Sequence, residues 1–386
     1  MAKKIYLDNG ITSKPSSKAV AAMLPFYTEK WGTLTQPHKM GEELVPYLEG
    51  FYRPIYTLLG CSDAYEFILC SSGAEAINQV LLSTYFEVTK ATGKNQYITS
   101  NIEEAPILMS IGRLESLGCV GKMLNVSSSG RVTKEDLLDL ITPRTALVSL
   151  SYANGQTGVI QPIEEIAAVC QEKGILLHVD ATHAIGKVYF ELSNLPINYL
   201  TFSGETFHAP RGIGGLCVAP GAPLSGLILG GIEQDGKRAG NMDVAHLAAL
   251  GQAAIEAIDA RDLMWTEVSR LRNHLEALIQ EGYPEAVVLF SDQERLATTT
   301  AIAFPGIVNE SLLFSLNNRG VYASIGGGSS QQIGLILHAC HIKEPLASCA
   351  ISFTLSQETT EEEIERAAKE ICEAASKIRR YSKEIV

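Results

Sequence analysis

A formal charge of -12, from 31 basic against 43 acidic side chains in 386 residues, with no Lys/Arg block that forms a stripe, argues against a protein that tracks nucleic-acid phosphates. The composition, 46% hydrophobic and 19% charged, is that of a globular chain with room for two domains or one large domain with an appendage. No run approaches ~18 uninterrupted apolar positions, and the opening Met-Ala-Lys-Lys-Ile-Tyr-Leu-Asp-Asn lacks an apolar leader core. A cytoplasmic protein with no membrane contact is the expectation.

In chain order, short apolar runs alternate with helix-period segments between about residues 60 and 220. The runs are Glu66 to Cys70, Gln96 to Thr99, Ala146 to Ser151, Ile175 to Val179, Tyr199 to Phe202 and Ile213 to Val218. They are rich in Ile, Leu and Val with little polar alternation, which predicts a mainly parallel α/β sheet covered on both faces. A long helical pattern over Ala249 to Gly282 leads into a second unit, with strands near Val287 to Phe290, Thr299 to Phe304 and Ala350 to Leu355 and helices near Ser311 to Asn318 and Thr360 to Ile378. The last helix opens with Thr359-Thr360-Glu361-Glu362-Glu363, acidic residues suited to a helix N-terminus. The predicted division is a large α/β domain over 15–255 and a small α+β domain from 1–14 and 256–386. Eight cysteines (Cys61, Cys70, Cys119, Cys170, Cys217, Cys340, Cys349, Cys372) sit mostly in apolar runs without a Cys-x-x-Cys pair, and read as buried reduced thiols.

A set of short segments then stands in a characteristic order: Ile5-Tyr6-Leu7-Asp8-Asn9, His38-x-x-Gly41, Ser72-Gly73-Ala74, Thr99-Ser100, Gly158-x-Ile160-Gln161-Pro162-Ile163, His178-Val179-Asp180-Ala181, Ser203-Gly204, Ala209-Pro210-Arg211-Gly212-Ile213-Gly214, Gly230-Gly231 and Gly236-x-Arg238-x-Gly240. Each is weak alone, but in this order the chain resembles the cysteine desulfurases of the class V aminotransferase group. The resemblance implies the fold-type I pyridoxal-phosphate architecture, a mainly parallel seven-stranded sheet with a smaller α+β C-terminal domain. It also implies pyridoxal phosphate as cofactor and a homodimer, the Gly230 to Gly240 segment resembling a loop that reaches the neighbouring subunit.

The same resemblance shows where the chemistry departs. Pyridoxal chemistry needs a lysine amine to hold the aldehyde and shuttle protons, and Thr206 occupies that lysine's position with Glu205 in place of the preceding histidine. Covalent cofactor binding is therefore not expected, and Lys187, which matches the family's own Gly-Lys, is a poor substitute. The phosphate belongs at the helix N-terminus after Ser72-Gly73-Ala74. Glu75 replaces a threonine there, Asn241 replaces one lent by the partner, and Ser203 and the glycine turn remain. Two like charges ~4 Å apart at an effective dielectric of ~20 repel by about 4 kcal/mol, so Glu75 and Glu205 are expected to oppose a phosphate. Asp180 matches the aspartate that pairs with the pyridinium nitrogen, with a capping role as the structural alternative. His183, Gly155 and Glu104 replace a glutamine, an asparagine and a stacking histidine around the ring. Ser329, in Ser324-Ile325-Gly326-Gly327-Gly328-Ser329, replaces the sulfur-accepting cysteine, and Ser352 the carboxylate-clamping arginine.

No catalytic constellation is left intact, which favours a catalytically silent relative kept for interaction in sulfur or iron–sulfur metabolism, with an active desulfurase paralogue or an iron–sulfur scaffold protein as partner. Two alternatives remain open at this level: a pyridoxal-phosphate enzyme of altered type holding the cofactor noncovalently through Asp180, Ser203 and the Gly73 turn, and an acidic pocket of Glu75, Glu104, Asp180, His183 and Glu205 binding a divalent metal or a cationic ligand. The sequence has no metal motif of its own, and a water-filled cavity is the favoured reading of that cluster. His38 and His208 read as structural or pocket-wall residues.

Overall fold

The computed structural model describes residues 4–327 and 332–385. The described residues form twelve strands: β1 (Ile5–Tyr6), β2 (Glu66–Cys70), β3 (Gln96–Ser100), β4 (Val120–Leu124), β5 (Thr145–Ser151), β6 (Leu176–Asp180), β7 (Tyr199–Ser203), β8 (Gly214–Val218), β9 (Val287–Leu289), β10 (Thr299–Ala303), β11 (Val321–Tyr322) and β12 (Ala350–Thr354). The main sheet has seven strands in the order β2-β8-β7-β6-β5-β3-β4. Pairing from β7 to β4 is parallel throughout, while β8 runs antiparallel to both β7 and β2.

The pleat explains why the runs of apolar residues are nearly continuous. Successive side chains alternate between faces: Ile68, Tyr97, Leu147 and Leu216 pack with Ile77, Leu81, Ile107 and Ile111 from the helices Gly73–Thr84 and Ala105–Glu115. Their chain neighbours Phe67, Ile98, Val148 and Cys217 enter the core on the other side, with Leu250 and Ala254 of the helix Val244–Asp259. Both faces are covered there, so the inner strands carry apolar residues at odd and even positions alike.

One strand was not legible among the six apolar runs. In β4, Val120 and Met123 are 40% and 44% exposed, and Gly121 and Lys122 separate them. It is an edge strand paired only with β3, so no apolar pattern is required of it.

A further core joins Met264, Leu271, Leu275, Ile302, Phe353 and Ile371, under the antiparallel sheet β12-β10-β9 and the helices Ser269–Gly282 and Glu361–Ile385. Ile5 of β1 and Leu7 just after it enter this core, and β1 pairs in parallel with β11. The helical pattern expected over residues 249–282 begins earlier, at Val244, where the Asp243 carboxylate accepts from the His246 N–H at 3.0 Å and caps the first turn. No helix among the described residues is long and apolar enough to cross a membrane.

Candidate functional site

The parallel register aligns the carboxyl ends of β5, β6 and β7, the edge where open α/β sheets bind ligands. Ser151 lies opposite Asp180, and Asp180 opposite Thr201. Asp180 is buried, and its Oδ1 accepts from the Thr182 N–H (3.2 Å), the Thr182 hydroxyl (2.7 Å) and the Thr201 hydroxyl (3.1 Å). Burial raises its pKa against those hydrogen bonds. Asp180 thus closes a turn on Thr182 rather than capping a helix, at the position the resemblance assigns to the ring-nitrogen partner.

Beside it lies a carboxylate that sequence reasoning passed over. Glu103 accepts from the Ser151 N–H (2.9 Å), the Ser151 hydroxyl (2.5 Å) and the Ser100 hydroxyl (2.8 Å). Burial, with a smaller contribution from the Asp180 charge, pushes its pKa up to about 7. The available signal is its place in Asn101-Ile102-Glu103-Glu104, directly after the fully buried β3. His178, one pleat below, is held by the Ser149 and Thr201 hydroxyls at 2.8 and 2.9 Å, and burial brings its pKa down to about 3, so it stays neutral and structural.

Two of the ring-contact departures prove to be coupled. The His183 ring occupies the space beside Gly155, where an added Cβ would lie 2.3 Å from Cε1 and 2.5 Å from Nε2. An asparagine at 155 is incompatible with this ring position. The His183 Nε2 meets Glu104 Oε1 at 3.3 Å. Burial raises the Glu104 pKa, but the hydrogen bond and charge of His183 outweigh it and hold the carboxylate below its ordinary range. The buried His183 Nδ1 has no hydrogen-bond partner among the described residues.

Thr206 lies in the short turn Gly204–Phe207 after β7, 3% exposed, and its hydroxyl donates towards the Thr182 carbonyl (2.7 Å) and the Ser203 carbonyl (2.9 Å). Lys187 shares with Thr206 the lining of a cavity of ≈ 10 Å³, room for about one water and far too small for a pyridine ring. Burial lowers its pKa to about 8. At pH 7 this amine is charged in both states, and a shift from ~10.4 corresponds to about 3 kcal/mol of lost stability, recovered as pH rises through about 8 to 10. Lys187→Met is therefore expected to stabilise the protein at pH 7 by up to about 3 kcal/mol and to flatten the rise towards pH 10. Urea unfolding at both pH values measures this.

The anion cradle after β2 is occupied by the chain itself. Ser72 caps the helix Gly73–Thr84, its hydroxyl accepting from the Glu75 N–H at 3.2 Å, while the Gly73 N–H donates to the Ser203 hydroxyl at 2.9 Å. The Glu75 carboxylate folds back, one oxygen accepting from the Ser71 N–H at 2.7 Å and the other pairing with Arg238 Nε at 3.0 Å. Burial opposes ionisation of Glu75, but Arg238 and Ser71 prevail and its pKa is lowered. The Ala74 carbonyl accepts from Asn78 at 2.9 Å. The expectation of a bare Glu75 charge repelling phosphate is corrected: the charge is paired with Arg238, and the Ser71, Gly73 and Glu75 N–H groups of this turn donate to Glu75, Ser203 and Ser72.

The remaining departures lie apart. The Glu205 backbone carbonyl accepts from the Ser13 N–H and hydroxyl, each at 2.7 Å, and burial raises the pKa of its carboxyl, whose Oε2 has no partner among the described residues. Asn241 is exposed, accepting from Thr33 at 3.2 Å. Ser352, in β12, donates to the Gln156 carbonyl at 2.7 Å and carries no cation to its strand. Ser329 lies outside the described residues. His208 is a core tie, its Nδ1 2.9 Å from the Lys14 carbonyl and its backbone N–H donating to the Ser13 hydroxyl at 2.7 Å. His38 is exposed and borders a surface cleft with Trp31 and Asn241.

The five-residue convergence on a metal is also corrected. Among the described residues, the group of His, Cys, Asp and Glu whose ligand atoms lie within 4.8 Å of one another is His274, Glu361 and Glu365, not Glu75, Glu104, Asp180, His183 and Glu205. Glu75 has turned away to Arg238 and Asp180 is tied to its threonines. Pyridoxal phosphate fares no better: with Thr206 hydrogen-bonded into the backbone and the Gly73 turn closed by Ser203 and Glu75, the residues present do not fit the cofactor.

The comparisons with known proteins agree on ancestry. The aminotransferase class-V family model matches residues 5–367. A cysteine desulfurase of Gluconacetobacter diazotrophicus is 35% identical over 382 residues, covering 98% of this chain and 95% of that one. The cysteine desulfurase NifS of Azotobacter vinelandii is 34% identical over 382 residues, covering 98% and 94%. A solved NifS-like protein superimposes with a TM-score of 0.90 at 30% identity, over 97% of this chain and all of its own. A NifS-like protein from Rickettsia africae, at 22% identity and a TM-score of 0.86 over 97% of this chain and 100% of its own, shares the fold. Pyridoxal phosphate is implied for this chain by its resemblance to that family alone. With seven strands in the expected mainly parallel arrangement and a family match along almost its whole length, the chain belongs to the cysteine desulfurases of the aminotransferase class-V family.

Proposed function

We propose that this chain is a non-catalytic desulfurase relative, a homodimeric scaffold kept for association with an active desulfurase or an iron–sulfur assembly protein in the cytoplasm. The observation that carries the reading is Thr206: at the position of the lysine there is a short hydroxyl already committed to two backbone carbonyls, with no amine to form an imine. The Glu75–Arg238 pair supports it, because filling the phosphate turn from within lets the fold stand without a cofactor.

The test uses the purified full chain, titrated with pyridoxal phosphate and desalted. We expect no retained absorbance band and no sulfide released from L-cysteine. A retained band with sulfide release overturns the reading, and a band without turnover transfers it to a noncovalent cofactor protein.

A further inference from the structure

Cys61 and Cys217, 156 positions apart, place their sulfurs 3.9 Å from each other. Both backbones are held. Cys61 follows Gly60, which closes the helix Val45–Leu59 in the left-handed region (φ 62°), and a Cβ at Gly60 would lie 2.7 Å from Glu191 Cα, so this turn takes only glycine. Cys217 sits in β8 between Phe67 and Leu200 of the flanking strands. Tyr56 and Tyr65 frame the pair, donating to the Tyr65 and Leu192 carbonyls, each at 3.2 Å. Cys217 is fully buried and Cys61 half-buried, so an oxidant meets Cys61 first. Cys70 and Cys372, by contrast, turn their sulfurs to backbone carbonyls.

A disulfide needs its sulfurs at about 2.05 Å, so closing the gap takes an approach of about 1.9 Å, within reach of side-chain rotation at the half-buried cysteine. We propose that Cys61 and Cys217 form a reversible disulfide by exchange with a low-molecular-weight disulfide of the glutathione type. The Cys61 thiolate attacks one sulfur of the external disulfide, making a mixed disulfide and releasing one thiol. Cys217 then attacks the Cys61 sulfur, its proton passing to the second departing thiolate. Two protein thiols are oxidised by two electrons, and one external disulfide is reduced to two thiols. The bond ties the end of the helix Val45–Leu59 to β8. The opposite end of that strand, Gly214, presses so closely on Ser72 that a Cβ there would lie 2.2 Å from its carbonyl carbon. The staple therefore braces the strand that backs the Gly73 turn, and it does so whether or not the chain is a catalyst.

The experiment equilibrates the full chain in glutathione buffers of graded redox ratio, quenches free thiols by alkylation and maps the digested peptides by mass. Linked Cys61–Cys217 peptides are expected, their fraction following the ratio and vanishing with dithiothreitol, together with a higher melting temperature of the oxidised protein. Cys61→Ser, at the half-exposed member, is expected to fold normally and to lose both effects. A stable glutathione adduct on Cys61 without linkage, or linkage only in urea-unfolded chain, overturns the proposal.

Discussion

Gly155→Ala is expected to destabilise the protein by about 2–3 kcal/mol, a large effect for one methyl group. The added Cβ would lie 2.3 Å from Cε1 of His183, a contact that cannot exist, so the ring or the backbone must move. The ring is buried and bonded to Glu104, which limits its retreat. In a His183→Ala background the same substitution is expected to cost under about 1 kcal/mol, since the obstacle is gone. A double-mutant cycle by urea denaturation isolates this coupling. Equal costs in the two backgrounds would show that Gly155 and His183 changed independently rather than as a pair.

Arg238→Ala is expected to cost about 1–3 kcal/mol at pH 7, because it strands the largely buried Glu75 carboxylate without its counter-charge. The sign with pH follows from the direction of the shift. The folded-state pKa of Glu75 lies below its ordinary value, so the pair contributes stability above the unfolded carboxylate pKa of ~4.3 and loses it as pH falls through the folded value. The difference between wild type and Arg238→Ala should therefore shrink towards pH 3, and Glu75→Gln should remove most of it at every pH. A difference that persists undiminished in acid would mean that Arg238 acts through packing of its stem rather than through charge.

Both predictions turn on positions, Gly155 with His183 and Glu75, that sequence comparison marks as losses and that the tertiary structure shows with new partners. Glu75 reads as a charge inserted where a phosphate belongs; only the fold brings Arg238, 163 positions away, against it. Gly155 reads as a lost contact until the His183 ring is seen to need its space. Glu103 was missed because its role comes from Ser151, on a neighbouring strand, whose N–H and hydroxyl it accepts. The edge strand β4 was missed for a different reason: half solvated, it carries no apolar signature.

What the sequence determined by itself is the scaffold and the presence of a threonine, not a lysine, at residue 206. Continuous apolar runs separated by helical segments require a doubly covered sheet, since such strands cannot leave a face in water. The absence of a lysine at residue 206 is a matter of covalent chemistry that no folding can restore. Only the tertiary structure decided how the residues at that sheet edge are partnered, and which of eight cysteines meet. Hydrogen bonds, ion pairs and thiol contacts act over a few ångströms, between groups whose sequence separation carries no trace of their distance in space: Glu75 with Arg238, Thr206 with Thr182, Cys61 with Cys217.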